Sequence, residues 1–393
     1  MSNYLVLDVE TNIKNRVGNN KGSAHCKDNH VVYYGIKYQS TPSPSATYIP
    51  KEDRPLVFDA RGYDLLVGHN VKFDLLYLLR DSLKFKKEVF PRILIWDTAL
   101  AEFIITGQEH KFPSLNEVAV KYGGTVKPDK VKELWDAGVD TDDIDQDLMT
   151  EYLKGDVENT EKVFLKQFEY CKENGLLPLI WSQMSALKAT TMMEHNGMYI
   201  DSPTLTQYST EQAMLLSFWR SRAHSLLEDI QPVLDKLPDF AKDQFVNLDS
   251  PQFISKVLFG GKVTYTEKVP DGVYKSGLKK GQPKYKNLVL VVDFPPLYTA
   301  SLEWETKVKG IYKVDEEVLK GLHGYTISAP HKEFIEAILK VRELTKETGT
   351  YINGISNLIY EDSCIHGNLQ HTVAVTGRLT SSGPNLQNFT NED

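Results

Sequence analysis

The N-terminal stretch Tyr4-Leu5-Val6-Leu7-Asp8-Val9-Glu10-Thr11 combines a short apolar run with two acids one residue apart. Aromatic, branched and leucine side chains in a run of this length predict a buried β-strand. Side chains alternate faces along a strand, so Asp8 and Glu10 point to the same side, about 7 Å apart. Two such carboxylates can share a hard cation, or they can simply carry the strand into solvent.

Length and composition limit the class of protein. The 393 residues predict two or three domains, and 41% hydrophobic with 25% charged residues is ordinary for a globular chain. The net charge of −8 argues against a basic coat for nucleic acid over the whole surface but leaves a local basic cleft open. The 3 cysteines are far apart, which favours a reduced, cytoplasmic compartment. No stretch of membrane length is present, so no membrane partner is expected.

A further acid lies in a predicted strand–helix unit. Leu65 to Asn70 predicts a buried strand that ends in a polar pair, and Val71 to Leu79 has helical length and composition. Asp74 lies in an apolar part of this helix, where it needs a cation or a hydrogen-bond donor because burying an unpaired charge is costly. Asn70 lies one turn earlier on the same face and is also a candidate N-cap.

A long helix is predicted from about Gln146 to Glu173, and it carries Tyr152 and Asp156 one turn apart on one face. Alone, such a pair is usually a surface hydrogen bond. The acidic run from Asp140 to Asp147 lacks the glycine and glutamate of a calcium loop and predicts a solvated helix entry instead.

Helix starts are also predicted nearby. Asp97 is a candidate N-cap, and Ser114 with Glu117 matches the capping-box pattern.

Together these residues supply four carboxylates and a tyrosine: Asp8, Glu10, Asp74, Asp156 and Tyr152. A two-metal phosphodiesterase needs several anionic oxygens to offset the charge of its ions. Because a tyrosine phenol titrates at about pH 10, it is a poor free base. We therefore expect Tyr152 to orient a water molecule.

The order and spacing of these motifs resemble the tyrosine-bearing DEDD exonucleases, which include the proofreading domains of DNA polymerases. The resemblance covers about residues 1–175 and implies an RNase H-like α/β domain that removes 3′-terminal nucleotides from single-stranded DNA with two Mg²⁺ or Mn²⁺. It makes the four carboxylates catalytic metal ligands and Tyr152 a catalytic residue. It also implies that Thr11, Asn70 and Phe73 contact the terminal nucleotides, Phe73 by stacking or wedging.

Helices dominate the pattern after Pro178. The predicted helices run from Leu179 to Asn196, from Pro203 to about Asp235, from Gln252 to Phe259, and from Pro330 to Ile359. The segments Asn247-Leu248-Asp249-Ser250-Pro251 and Met193 to Asp201 resemble the N-L-x-S-P and M-E-x-x-G-x-x-x-D phrases of family A DNA polymerases.

The stretch Thr372-Val373-Ala374-Val375-Thr376-Gly377-Arg378-Leu379-Thr380-Ser381-Ser382-Gly383-Pro384-Asn385-Leu386-Gln387-Asn388 is very similar to the T-G-R-L-S-S-x-x-P-N-L-Q-N signature of the same family. It departs at Thr380, where serine is usual, and His371 precedes it where glutamine is common. The resemblance implies that Arg378 reads the minor groove near the primer end and that Asn385 and Gln387 lie near the same duplex.

A lysine- and glycine-rich insert lies at about 260–296, with tyrosines interleaved and with Lys279 and Lys280 adjacent. It suits a hairpin that follows a phosphate backbone. A solvated mobile loop and a partner-binding insert in the thumb are alternatives.

These resemblances predict a DEDD exonuclease domain at 1–175, a mostly helical linker and thumb at 176–360, and a short β-containing palm fragment at 361–393. The expected substrates are single-stranded DNA 3′ ends and primer–template DNA. The palm motifs D-Y-S-x-x-E, R-x-x-x-K-x-x-x-x-Y-G and H-D-E are not found, so we do not expect this chain to extend DNA alone. Either it is truncated or a second chain supplies palm and fingers.

No 5′-nuclease domain is found ahead of the first strand, a layout that resembles phage polymerases and suggests a host cytoplasm. Two alternatives remain: an accessory DNA-binding subunit with weak nuclease activity, and a stand-alone DEDD nuclease, against which the T-G-R signature counts.

Overall fold

The computed structural model describes residues 3–13, 22–125, 130–227, 235, 247–277, 279–326 and 328–388. The chain forms two compact units, of which the first comprises residues 1–201 and 355–393 and the second residues 202–354. This division follows compactness, whereas the boundaries predicted from resemblance at 175 and 360 stay predictions.

A five-stranded sheet forms the centre of the first unit. Its strands are β1 (Tyr4–Thr11), β2 (Val31–Tyr38), β3 (Ser45–Tyr48), β4 (Leu65–Gly68) and β5 (Leu94–Asp97). They lie in the order β3-β2-β1-β4-β5. The predicted first strand is confirmed, and it is the central strand, because β1 pairs antiparallel with β2 and parallel with β4. Its apolar run from Tyr4 to Leu7 is buried in the main core.

Six α-helices of seven or more residues accompany this sheet among the described residues. They are α1 (Lys72–Asp81), α2 (Thr98–Ile105), α3 (Leu115–Lys121), α4 (Lys130–Asp136), α5 (Gln146–Glu173) and α6 (Leu177–Asn196). The predicted caps are confirmed, because Asp97 accepts the amide hydrogens of Ala99 and Leu100 and Ser114 forms a capping box with Glu117. The mixed α/β character of the unit follows from this alternation.

Helix α5 packs very closely on β2 at Gly35. A Cβ atom added at Gly35 would lie 2.7 Å from Leu153 Cγ and 2.8 Å from Val157 Cγ2. Carbon atoms pack at about 3.5–4.0 Å, so only glycine allows this approach. Since Gly35 is opposite Asp8 in the β1–β2 register, the contact brings α5 close to the acidic end of β1.

The acidic run before α5 is partly buried, which corrects the prediction that it is solvated. Asp140 accepts the amide hydrogen of Ile13 at 2.7 Å, and the Thr141 hydroxyl donates to the Thr11 carbonyl at 2.6 Å. Asp142 pairs with Arg54 in a largely buried ion pair. The run therefore holds the end of β1 in place, while its last part starts α5 as predicted.

The second unit contains four α-helices of nine or more residues in the part of the chain that the structure describes. After the short strand β6 (Met198–Tyr199) of the first unit come α7 (Ser202–Ser225), α8 (Pro251–Phe259), α9 (Glu316–Tyr325) and α10 (Ala329–Lys346). The predicted continuation of α7 toward Asp235 falls mostly on residues 228–234, which lie outside the described residues. The predicted helix from Pro330 to Ile359 is regular only to Lys346, where a π-helix follows at Glu347–Asn353.

The lysine-rich insert forms the antiparallel hairpin of β7 (Gly261–Val273) and β8 (Pro283–Phe294), so the predicted hairpin is confirmed. Among the hairpin side chains that the structure describes, those at its base contribute to the core of the second unit, where Val292 and Phe294 are buried. Farther out, Val289 and Val291 are more than half exposed.

The chain then returns to the first unit through three short strands. They are β9 (Cys364–Ile365), which pairs with β6, and the antiparallel pair β10 (Asn368–Gln370) and β11 (Thr380–Ser382). Among the described residues no helix is both long and apolar enough to cross a membrane.

Candidate metal centre

Three of the predicted carboxylates come together at the end of β1. Asp8, Glu10 and Asp156 each offer an oxygen atom, and these oxygens lie within 4.8 Å of one another. Two oxygens that bind one Mg²⁺ at about 2.1 Å are at most about 4.2 Å apart. A closure of about half an ångström would therefore let the three side chains share one hard cation, and an all-oxygen donor set suits Mg²⁺ or Mn²⁺.

Asp74 lies next to this cluster but is not one of the three. Its Oδ1 accepts the amide hydrogen of Val9 at 2.8 Å, and its side chain is buried. The β1–β4 pairing ends at Val6 and Val67. Beyond that point the Asp74 carboxylate, rather than the backbone of β4, accepts a hydrogen bond from β1. Burial raises the pKa of the Asp74 carboxyl well above its ordinary value, and the nearby charge of Asp8 raises it further.

Tyr152 lies one helical turn before Asp156 on α5, and thus on the same side of the helix. Its ring is half-buried and makes an edge-on contact with Trp135, with ring centroids 5.7 Å apart. The ring is therefore held by packing rather than free to rotate into solvent.

The three residues predicted to touch the terminal nucleotides have different surroundings. Asn70 is exposed, with a φ of 55°, and Phe73 is half-buried with its ring centroid 5.2 Å from that of Tyr77. Thr11 exposes 1% of its surface, and its side chain is hydrogen-bonded to that of Tyr77.

The possible N-cap role of Asn70 is wrong. Helix α1 begins at Lys72 with Val71 at the N-cap and no side-chain cap. A non-glycine residue at positive φ is costly, so this turn needs support from elsewhere.

Asp97 supplies that support and is a residue whose wider role the sequence did not reveal. Its Oδ1 accepts the amide hydrogen of Asn70 and its Oδ2 that of Val71, each at 3.0 Å. The same carboxylate caps α2. Burial raises the pKa of the Asp97 carboxyl, and the nearby His69 and the backbone hydrogen bonds oppose this rise. Asp97 thus fixes the turn that leads into Phe73 and Asp74, although only its N-cap signal was visible in the sequence.

A cavity of about 660 Å³ within the first unit adjoins helix α1. Asn70 and Phe73 line it, together with Glu194 and the segment around His371. This volume falls in the range of small-molecule sites and would accommodate parts of a nucleotide.

The residues predicted to bind duplex DNA are exposed. Arg378 and Asn385 lie on the surface of the first unit, and the Gln387 side chain donates to the Leu379 carbonyl at 3.1 Å. Lys279 and Lys280 lie at the tip of the β7–β8 hairpin in the second unit.

Known proteins resemble this chain in sequence. Residues 294–393 match the family described as DNA polymerase family A. DNA polymerase I of Streptococcus pneumoniae is 24% identical over 298 residues, which cover 75% of this chain and 27% of that protein. The thermostable DNA polymerase I of Thermus aquaticus is 47% identical over 56 residues, or 14% of this chain and 7% of that protein. The chain thus spans about a quarter of the length of the Streptococcus relative.

A solved structure also resembles the chain. The POL domain of Pol1 from M. smegmatis, in complex with DNA primer-template and dNTP, aligns with a TM-score of 0.58 at 18% identity. The alignment covers 99% of this chain and 52% of that one, and at this identity the likeness concerns the fold. The sequence matches relate the chain to the family A DNA polymerases, and its C-terminal region carries that relationship most clearly.

Proposed function

We propose that this chain is the 3′–5′ proofreading exonuclease and DNA-holding part of a family A DNA polymerase. The observation that carries the proposal is the cluster of Asp8, Glu10 and Asp156, whose oxygens lie within 4.8 Å of one another. The sheet order β3-β2-β1-β4-β5, with β1 antiparallel to β2 and parallel to β4, supports an RNase H-like assignment for the first unit.

The chain's own residues divide the chemical work in this proposal. Asp8, Glu10 and Asp156, with Asp74 beside them, would hold two Mg²⁺ or Mn²⁺ ions. The bound ions would supply an activated water and stabilisation of the leaving oxygen. Tyr152 would orient the attacking water from α5, where its ring packs against Trp135.

The substrate end is placed by residues around α1. Asn70 and Phe73 border the 660 Å³ cavity, so the terminal nucleotides can stack on Phe73 while Asn70 donates to them. Thr11 is also proposed to contact the terminal nucleotide, but it exposes only 1% of its surface in this structure.

The test is metal-dependent release of mononucleotides from 3′-labelled single-stranded DNA. We expect release with Mg²⁺, none with a chelator, and a loss of at least about a hundredfold in D8A. The matched control is Asp143→Ala, an exposed acid that lies outside the cluster. Release that persists in D8A at the wild-type rate would refute the proposal.

DNA holding is proposed for Arg378, Asn385 and Gln387, and for the lysine-rich hairpin tip. The 393 residues contain none of the three palm motifs. We therefore propose that primer extension requires palm and fingers supplied by further sequence, in the same or a second polypeptide. Mixing the chain with a polypeptide that carries D-Y-S-x-x-E and H-D-E should restore extension, and a mixture that fails to extend a primer would contradict this part of the proposal.

A further inference from the structure

Lys72, in the first turn of α1, makes three hydrogen bonds through its ammonium group. Its Nζ donates to Glu194 Oε1 at 2.7 Å, to the Leu369 carbonyl at 2.7 Å and to Asn368 Oδ1 at 3.1 Å. An ammonium group has three donors, so all of them are used. The Lys72 side chain is 12% exposed and that of Glu194 5% exposed, which makes this a largely buried ion pair.

Glu194, near the end of α6, holds the same strand from the other side. Its Oε1 also accepts the amide hydrogen of Leu369 at 2.5 Å, and its backbone carbonyl is 2.7 Å from His366 Nδ1. Lys72 and Glu194 together therefore bond both backbone polar groups of Leu369. A largely buried ion pair that is also hydrogen-bonded to the backbone restricts the positions that its two side chains can take.

The hydrogen bonds between Lys72 and Leu369 join two segments that matter for the proposed site. Lys72 is the residue before Phe73, and Leu369 is the middle residue of β10, which pairs with β11. The loop between these strands carries Arg378. Lys72, Glu194 and Asn368 also line the 660 Å³ cavity on which Asn70 and Phe73 border.

We infer that Lys72 and Glu194 are positioning residues that fix β10 against α1 and so form the cavity wall that receives the DNA strand behind its 3′-terminal nucleotide. The inference rests on the proposed exonuclease function. Neither residue is one of the clustered carboxylates, so the pair acts on binding of the strand rather than on hydrolysis. Loss of the pair leaves β10 free to shift and widens the cavity, which weakens the hold on the bases.

The experiment compares two substrates in the full chain with Mg²⁺. One is a short 3′-labelled single-stranded DNA, which extends into the cavity, and the other is the p-nitrophenyl ester of thymidine 5′-monophosphate, which has no second nucleotide. K72M should raise KM for the DNA by about tenfold while kcat stays within about twofold, and both constants for the ester should stay near wild type. K72R, which keeps the charge, should restore most of the DNA affinity.

Matched variants keep the result interpretable. Lys166→Met removes an exposed lysine paired with Glu169 on the same unit and should leave all constants unchanged. If K72M does not fold, the double variant K72M/E194Q takes its place, because it leaves neither buried charge unpaired, and the same rise in KM is expected. Asn368→Ala removes only one acceptor and should give a smaller rise in the same direction.

The outcomes separate the inference from the proposed function. A wild-type chain that hydrolyses neither substrate refutes the exonuclease itself. With an active wild type, K72M kinetics that match wild type on DNA overturn the inference. An equal loss of kcat/KM on both substrates also overturns it, because such a loss would mean that Lys72 acts in hydrolysis itself or only stabilises the fold.

Discussion

Replacing Gly35 by alanine tests whether the approach of α5 to the sheet assembles the carboxylate cluster. The added methyl group would lie 2.7 Å from Leu153 Cγ and 2.8 Å from Val157 Cγ2, both on α5. Ordinary carbon contacts are about 3.5–4.0 Å, so α5 has to move away by about 1 Å. Asp156 lies between these two residues in sequence and moves with them.

The expected effect has two parts. Overpacking a filled core costs about 1–3 kcal/mol of unfolding free energy. Metal sites accept ligand distances only within about 0.2 Å, so a shift of about 1 Å would remove Asp156 from the proposed shared cation. A misplacement of that size can lower a rate by about a hundredfold. For the proposed nuclease activity, we therefore expect G35A to reach half-maximal rate at a higher Mg²⁺ concentration than the wild type. We also expect it to release nucleotides far more slowly than the wild type at every Mg²⁺ concentration.

Mg²⁺ titrations of nucleotide release, with urea unfolding of the same samples, measure both parts. Gly321→Ala is the matched control, because Gly321 lies in helix α9 with nothing within 4 Å of its added Cβ. That change should stabilise the helix by about 0.5–1 kcal/mol. A destabilised G35A with wild-type rate and Mg²⁺ dependence would show that the Gly35 contact packs the helix without placing Asp156. An unaltered unfolding free energy would refute the packing argument itself.

Three further predictions concern Asp74, His25 and Ser250. Asp74→Asn keeps an acceptor for the Val9 amide hydrogen, so we expect a folded chain whose nuclease activity is lowered by at least about tenfold. Asp74→Ala removes that acceptor and should also lose about 1–3 kcal/mol of unfolding free energy. Equal unfolding free energies of the two variants would contradict this prediction. His25 is stacked on His366, and burial, more than neighbouring charges, lowers the pKa of its imidazole to about 3 from an ordinary 6.5. The imidazole therefore binds a proton more readily in the unfolded chain, and the unfolding free energy should fall as the pH drops from about 6.5 toward 3, by about 2 kcal/mol at pH 5. The unfolding free energy of His25→Phe should depend less on pH in that window. A pH dependence equal to that of the wild type would refute the assignment to His25. Ser250 caps helix α8 through the Phe253 amide hydrogen, so Ser250→Ala should cost about 1 kcal/mol in urea unfolding, while an unchanged midpoint would argue against that cap.

Local signals in the sequence predicted the elements around the site well. The apolar run before Asp8 predicted the central strand, and the Asp97 and Ser114 patterns predicted helix starts that are confirmed. These signals depend on residues within a few positions of one another, which is why a single sequence reveals them.

Contacts between distant segments were not predictable in the same way. The contact of Gly35 with α5 joins segments more than a hundred positions apart, and Lys72 bonds Leu369 across 297 positions. Asn70 was a candidate cap because of its residue type, but the Asp97 carboxylate determines that turn instead. The acids near Asp140 were expected to be solvated because nothing in their neighbourhood shows that the end of β1 provides their partners.

The β7–β8 hairpin has a consequence for how such chains can be modified. Among its described side chains, Val292 and Phe294 at the base are in the core, whereas Val289 and Val291 are exposed. Folding therefore places little constraint on the length of the hairpin. Lengthening a surface connection costs little, about 0.6 kcal/mol for each doubling. An insertion at the hairpin tip should therefore leave the core of the second unit intact, while it would change the surroundings of Lys279 and Lys280, which are proposed to hold DNA.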